Sequence, residues 1–440
     1  MKEQRVLRAL FCALAIASFS LAVAGCGSNH LSLPSSASTS SFSLQGHAFG
    51  GQQPIAGATI HLYIASTAGY GAAATSAYPY STKTDASGGF NITNEYTCPA
   101  NAMVYLTATG GNPGLGSINN NIAEMAALGP CSNLTSATNI EMNELTTVAS
   151  VYALSAFMKG PANLGTSATN GAGLALAFAD VNELVNTSTG ALPGPSLPTG
   201  SILPTATMNT LADILGACIN SAGGTAGDKS PCGNLFAATT PPGGTSPTDT
   251  VTAALNIAQN PALNVSTLFG LLPSQLPFMP QLPSAPNDWM LAVTYAPGTL
   301  SSPSAIAIDA YGNAWITNRA GSSVSELTHT GALASGSSYS GALSSASALA
   351  LDASGNPWVA EAGNNSVVYL TSTTGSPVAS GTGGLNAPSA AAIDAQGNIW
   401  LANSGASTVT ELNSTGTPLA PGGFSGPGIV KPLGIAISPH

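Results

Sequence analysis

Few residues of this 440-residue chain are equipped for chemistry, and their spacing limits what each can do. Six cysteines supply thiols, which accept acyl groups, pair as disulfides or bind metal as thiolates. No two are spaced as CxxC, so neither a thioredoxin-like site nor a zinc ribbon is expected. Cys12 lies in an apolar leader and Cys26 follows it directly. The other four, Cys98, Cys131, Cys218 and Cys232, permit three pairings. The simplest joins Cys98 to Cys131 and Cys218 to Cys232, each pair closing a plausible loop, with free buried thiols as the alternative. Glu141 and Glu144 stand three apart, near one face of a helix expected over 139–154, as an acid–base pair requires. No His or second acid cluster is adjacent in sequence, and carboxylates at a helix start explain both residues. His30, His47, His61, His329 and His440 have no companions at ligand spacing, so neither a metal nor a cofactor is expected.

The elements that must hold these residues belong to a chain with little charge. Charged residues make up 6%, against about a quarter in an ordinary globular protein, and the formal net charge is −10. No basic patch is present to hold a phosphate backbone, which argues against nucleic acid as a partner. Asn, Ser, Thr and Gly take the place of charges, a surface that suits exported β-rich proteins.

Lys2, Arg5 and Arg8 precede an apolar run from Ala9 to Ala24, too short for a comfortable membrane span of about 20 residues but suited to a signal peptide. Val23-Ala24-Gly25-Cys26 resembles the lipobox of bacterial lipoproteins. The resemblance implies cleavage before Cys26, acylation there with palmitate-type chains, and anchoring to a membrane. Gly27 follows, with no Asp, which in Gram-negative relatives of this kind goes with sorting to the outer membrane. Residues 1–25 thus read as leader and 26–43 as a Ser-rich tether.

From Leu44 the pattern is β. Ala58–Tyr63 and Ala102–Ala108 read as strands, and Thr84–Ile92 as a tight turn feeding another. Gly46, Gly50, Pro54, Ile55, Gly57, Ala58, Ile60, Leu62, Tyr63, Thr84, Asp85, Gly88 or Gly89, and Phe90 resemble the pattern of carboxypeptidase regulatory-like domains. That implies a small prealbumin-like β-sandwich over 44–116, an accessory module without chemistry of its own. The Tyr-rich insert Gly69–Tyr80 is long for that family and is a loop suited to touching a partner. Alternation is lost after residue 117, and helices are expected at 139–154, 172–186, 207–220, 250–259 and 264–271. A disulfide-clamped helical region is therefore expected over 117–272, with a stiff Pro-rich connector and a strand over 273–301. The stretch 44–295 also resembles a segment of exported acidobacterial proteins of unassigned function.

Internal repetition dominates residues 302–440. Asp309, Asp352 and Asp394 recur after 43 and 42 residues, each followed by Gly-Asn: Gly312-Asn313, Gly355-Asn356 and Gly397-Asn398. Asp bonds to turn amides, and Gly permits positive φ. Trp315, Trp358 and Trp400 give each unit a wedge to bury against its neighbour. Third strands are expected at Val324–Leu327, Val367–Leu370 and Val409–Leu412, and a fourth copy opens at Pro432–Ile437. The units resemble NHL repeats and the blades of the virginiamycin B lyase family, which implies β-propeller blades. Three units and one strand do not close a ring of four to eight blades. The expectation is a fragment of a longer product, association with another chain, or divergent strands from Trp289–Tyr295.

In the lyase family a His and a Glu beside a magnesium ion do the work, and this chain lacks that set. Gluconolactonase-type propellers use acidic and Asn ligands in the central channel. By that resemblance Asn318, Glu361 and Asn403, equivalent positions after the second strand of each unit, are the candidates for a converging polar set, with turn formation the plainer role. The fold class expected is multidomain and mainly β: sandwich, helical middle and partial propeller. The leading function is a lipid-anchored binding or scaffold protein with a protein or glycan ligand. The alternatives are a propeller lyase or lactonase and an envelope structural element assembling through open blade edges.

Overall fold

The computed structural model describes residues 37–40, 43–93, 96–99, 101–296, 298–340, 343–371, 377–381 and 384–438. Cys26 with the leader around it, His30 and His440 lie outside the described residues. The described chain is mainly β with a helical middle segment, and its described strands form no closed propeller.

Two sheets face each other in the first β region. One sheet runs in the order Ala123–Pro130, Met103–Thr109, Thr59–Ile64, Thr75–Ser76, with Thr82–Lys83 also on Thr59–Ile64. The other sets Leu44–Gly50 between Asn139–Met142, in parallel, and Gly89–Ile92, antiparallel. Leu44, Ile60, Leu62, Phe90, Ile92, Leu106 and Ile140 fill the space between. Alternation of buried and less buried residues along Leu44–Gly50 is the period-2 signature of that packing. Gly46 is required by the parallel pair, since a Cβ there would sit 1.9 Å from the Ile140 carbonyl oxygen. Ala37–Ser40, inside the stretch read as tether, pairs with Tyr96–Pro99.

Three expectations are corrected here. Residues 117–160 contain a strand, Ala123–Pro130, that lacks alternation because its first five residues are all buried. The helix expected over 139–154 begins only at Glu144. Ile140 and Met142 point into the sandwich from a strand, and Asn143 ends it as N-cap of α1 (Glu144–Leu154) in a capping box with Thr146. Glu141 and Glu144 therefore lie on different elements. Third, Trp289–Tyr295 supplies no blade strand: Trp289 is buried in the helical core, and the segment's sheet-like pairing is an isolated bridge from Thr294 to Ile202.

Beyond α1 come α2 (Gly171–Leu184), α3 (Thr205–Ile219), α4 (Pro231–Thr239), α5 (Thr250–Gln259) and α6 (Val265–Phe269). Helix α4 has no counterpart among the helices expected from the sequence. Ser230 caps it, accepting from the Gly233 N–H, and Pro231 occupies its first turn. The helices share one core with the outer face of the sandwich, through Tyr105, Ala123, Met125 and Ala127. Hydroxyls from the helices finish the edge of Ala123–Pro130. The Met125 N–H donates to Thr147 Oγ1, the Ala127 N–H to Ser150 Oγ, and the Ala123 N–H to Thr250 Oγ1, each at 3.0 Å. An exposed strand edge is thereby covered, which explains why Thr147, a poor helix former, sits inside α1. The Pro-rich connector lies along α3: Asn209 Nδ2 donates to the Pro280 carbonyl at 2.8 Å and the Leu282 N–H to Thr210 Oγ1 at 3.0 Å. Both disulfides are formed, Cys98–Cys131 and Cys218–Cys232.

Three blade-like sheets follow. The first runs Pro303–Ile308, Ala314–Asn318, Ser323–Leu327, Leu333–Ser340; the second Ala346–Leu351, Pro357–Glu361, Ser366–Leu370, Pro377–Gly381. The third has Pro388–Ile393, Ile399–Asn403 and Thr408–Leu412. Each is an antiparallel meander. Pro432–Ile437 is extended and unpaired in any described sheet.

Candidate functional site

Each blade turn is built on one carboxylate. Asp309 Oδ1 accepts the N–H groups of Tyr311 and Asn313 at 2.8 and 2.9 Å. Asp352 takes those of Ser354 and Asn356 at 2.8 and 2.9 Å, and Asp394 those of Gln396 and Asn398 at 3.0 and 2.8 Å. Gly312, Gly355 and Gly397 hold φ of 82°, 79° and 81°, which L side chains avoid. Asn313 and Asn398 reach back to the Asp and on to Glu326 and Glu411 of the third strand, at 3.1 and 3.2 Å. Trp315 stacks on Tyr339, Trp358 contacts Tyr369, and Trp400 stacks on Phe424. Trp315 and Trp358 also lie in clusters with the following blade, whereas Trp400 is half-buried.

Asn318, Glu361 and Asn403 are buried at the same place in each blade and spend their polar atoms there. Asn318 Oδ1 accepts the Ser301 N–H at 3.0 Å while Nδ2 donates to Ser323 and Ser325 hydroxyls. Glu361 accepts the Ser344 N–H at 2.6 Å on one oxygen and the Ser366 hydroxyl on the other. Asn403 accepts the Asn386 N–H at 3.2 Å and donates to Thr408 and Thr410. Each ties the incoming linker to the hairpin of its own blade. Among the described residues no group of three or more His, Cys, Asp or Glu is arranged to hold a metal ion.

A concavity lies elsewhere, between the sandwich hairpin Gly50–Gln53, the loop Pro113–Leu115, α3 and the segment 270–277. It has a volume of about 800 Å³. Gln52, Gln53, Asn220, Asn234 and Gln275 line it, with leucines and prolines between them and no Lys, Arg or His. The side chains of Gln52, Gln53 and Gln275 make no hydrogen bond to the described residues. Its floor is small: Gly50, Gly51, Gly216 and Ala217. Immediately behind, Glu144 receives the Gly51 N–H on both carboxylate oxygens, at 2.7 and 2.8 Å. A Cβ on Gly216 would stand 3.0 Å from Glu144 Oε1, so glycine leaves the room this carboxyl occupies.

Glu144 is one of three buried acids in electrostatic contact. Burial raises its pKa to about 8, the Gly51 N–H opposes that, and Asp213 adds to the rise. Glu124 is raised well above the usual carboxyl range by burial and then by Glu144. Both of its oxygens are without a hydrogen-bond partner among the described residues. Asp213, on the cleft wall, is raised by burial while Gln281 Nε2 at 2.5 Å and the Phe278 N–H at 3.3 Å pull it back. With its pKa at about 8, Glu144 is mostly protonated at neutral pH, so the floor carries less negative charge than its carboxyls alone would suggest. Glu144 is not paired with Glu141, three residues before it. Instead, Glu141 accepts from Asn139 Nδ2 and pairs with His47 Nδ1 at 3.0 Å, on the sandwich surface. Residues 124, 144 and 213 have no spacing that could have grouped them.

The insert Gly69–Tyr80 touches its own chain: the Gly71 N–H donates to the Phe157 carbonyl, the Ala74 N–H to that of Ala162, and Tyr70 stacks on Phe157. No helix of the described residues is long and apolar enough to cross a membrane.

No protein family matches the chain, and no curated protein does. Among solved structures it is similar to virginiamycin B lyase of Staphylococcus aureus, at 15% identity over 32% of this chain and 46% of that one, with a TM-score of 0.28. A streptogramin B lyase structure aligns at 18% identity over 29% and 42%, TM-score 0.25. A chain of a nidogen–laminin complex aligns at 17% over 28% and 47%, TM-score 0.25. The chain thus spans less than half the length of each of these proteins, and its likeness to NHL-type and lyase-type propeller proteins is distant and partial.

Proposed function

We propose that this chain is an exported binding protein, anchored in the cell envelope by a lipid on Cys26 and sorted to the outer membrane. Its sandwich over 44–116 is read as a carboxypeptidase regulatory-like module and its repeats over 302–440 as NHL-type blades with a non-catalytic display role. The two disulfides support maturation in an oxidising compartment. The observation that carries the binding reading is the cleft of about 800 Å³ with unengaged amides and no basic side chain on its walls. Such a lining recognises an uncharged, hydrogen-bonding ligand, a glycan or a polar protein segment, and not a nucleic acid. The test is a glycan and peptide array probed with the whole protein and with the Gln52→Ala/Gln275→Ala variant. Ligands held by the parent and lost by the variant place binding in the cleft; equal retention removes it. Anchoring is tested separately: Cys26→Ala should move the protein from the membrane to the soluble fraction.

A second reading, a metal-dependent lyase or lactonase acting in the blade channel, rests on Glu361 as the acid among three equivalent positions. It requires Glu361→Ala to abolish both stoichiometric divalent-cation binding and turnover. Our reading expects a folded but less stable variant, with cation titrations unchanged from the parent.

A further inference from the structure

One wall of the cleft is main chain. From Pro273 to Leu276 the backbone neither donates nor accepts a hydrogen bond among the described residues, and Pro273, Gln275 and Leu276 line the cleft. Ser274 and Gln275 are exposed. The two prolines, Pro273 and Pro277, account for the run: each fixes φ and lacks an N–H, and each pushes the residue before it towards an extended backbone. Just beyond it, Asp213 accepts the Phe278 N–H and Asn209 donates to the Pro280 carbonyl, which seats the connector on α3. A fixed, extended run with open N–H and C=O groups is what strand-adding peptide recognition uses.

What surrounds the run suits a peptide better than a sugar. Leu115 is 55% exposed, yet its loop is fixed, since Asn112 Oδ1 accepts the N–H groups of Gly114 and Leu115 at 3.0 and 2.9 Å. Leu271 and Leu276 add half-buried aliphatic surface. Among the described residues no aromatic ring lines the cleft, so the C–H face of a pyranose has no flat partner. Gln52 stands beside the run, because a Cβ on its neighbour Gly51 would lie 3.0 Å from Pro277 Cγ. A primary amide both donates and accepts, as a peptide unit does. Among the described residues Asp213 alone can titrate on the walls, and it is buried and engaged by Gln281 and Phe278. A charged ligand residue would therefore be desolvated without a counterion, which is costly.

Resting on the reading of this cleft as a binding site, we infer that its ligand is an extended, uncharged peptide segment. The segment lies along Pro273–Leu276, exchanges main-chain hydrogen bonds with the run, and seats an aliphatic side chain against Leu115. Four extended residues reach about 13 Å, so a segment of about that length uses the whole run. The amides of Gln52 and Gln275 engage peptide groups that the main chain of the run leaves unpaired.

The experiment probes an array of capped, uncharged hexapeptides, alternating aliphatic with hydroxyl or amide residues, and of neutral oligosaccharides, with the full chain. The peptides retained are then followed by calorimetry and by hydrogen–deuterium exchange. Peptides should bind, and the amides of Ser274, Gln275 and Leu276 should exchange more slowly in the complex. Leu115→Ser should weaken binding about tenfold through lost apolar burial. Gln275→Pro, which removes a main-chain donor as well as the side-chain amide, should weaken it about tenfold more than Gln275→Ala. Both positions are exposed, so Tm and circular dichroism should match the parent; if Gln275→Pro unfolds the connector, Leu115→Ser and the exchange data carry the test. Peptide binding without protection at 274–276, or indifferent to Leu115→Ser, would overturn the inference. Retention of oligosaccharides alone, lost in Gln52→Ala/Gln275→Ala, would keep the cleft as a binding site and reject the peptide. No ligand lost in that double variant would remove the cleft reading and this inference together.

Discussion

Glu361 and Glu124 are both buried carboxylates, 1% and 0% exposed, in opposite circumstances. Glu361 belongs to a repeated unit. Its acceptors are met by a backbone N–H and a hydroxyl of the same blade, and Asn does the same work in the blades on either side. Glu124 recurs nowhere, has neither oxygen engaged among the described residues, and faces Glu144 across the junction of sandwich and helices. A repeat that must stack has each polar group answered locally, because each unit contacts only its neighbours. A junction assembled once from distant segments carries electrostatic cost that a local motif would not. The first arrangement is a device for folding, and the second leaves a buried acid cluster under a cleft.

The comparison predicts its largest effect at the junction. Burial raises the pKa of Glu124 and Glu144 above the unfolded value, so the folded state holds protons that the unfolded state releases. Stability is complete below the unfolded carboxyl pKa and is lost as pH rises from there through about 8. Glu144→Gln should raise stability at alkaline pH, on the order of 3 kcal/mol, and little near pH 4; Glu124→Gln should act in the same direction. Thermal melts from pH 4 to 9 would show the parent falling and each variant falling less steeply, because the other carboxyl remains. Parallel slopes would mean that the trio ionises freely. Next in size, Glu361→Ala strands the Ser344 N–H and the Ser366 hydroxyl and should cost about 2–3 kcal/mol at all pH values. Glu361→Gln should recover most of that, as Asn318 and Asn403 already show an amide can serve.

Those two sites also mark what the chain makes legible. Asp-x-x-Gly-Asn, the spaced tryptophans and the third strands could be read because a blade is a local device: Asp309 and Asn313 bond across four residues. The cysteine pairs, 33 and 14 apart, were likewise short loops. Strand Ala123–Pro130 was invisible because burial on both faces erases alternation. Helix α1 was extended too far because Ile140 and Met142 continue its apolar spacing, although they belong to a strand that Asn143 terminates. The acid trio and the cleft could not be read at all. Gly51, Glu124, Glu144 and Asp213 meet only after two sheets and two helices have packed.

Between these extremes lies Gly216, where a helix interior tolerates glycine for the sake of a neighbour. Gly216→Ala should strengthen α3 by propensity, yet its Cβ would meet Glu144 at 3.0 Å. The net is a loss of about 1–2 kcal/mol if Glu144 is fixed by Gly51. In the Glu144→Ala background the same substitution should become neutral or stabilising, a double-mutant cycle that measures how firmly the carboxyl is held.

The smallest effect belongs to the blade turns, and its pH signature runs opposite to that of the junction. Asp394 is held below its ordinary pKa, first by the Trp400 indole N–H at 2.9 Å and then by turn amides. Such a group adds stability above its unfolded pKa and loses it as pH falls through the lower folded value. Asp394→Asn keeps one side-chain oxygen for the amides of Gln396 and Asn398 but removes the charge that they and the indole favour. Its Tm near neutral pH should fall less than that of any destabilised variant above. The acid limb of its melting profile should flatten, while the alkaline limb, set by Glu124 and Glu144, should stay where the parent has it. Trp400 fluorescence followed through the acid titration reads the same bond directly: the parent should shift as Asp394 protonates, and the Asn variant should not. A shift that persists in the variant would assign the acid limb to another carboxylate and break the separation between local blade turns and the shared junction.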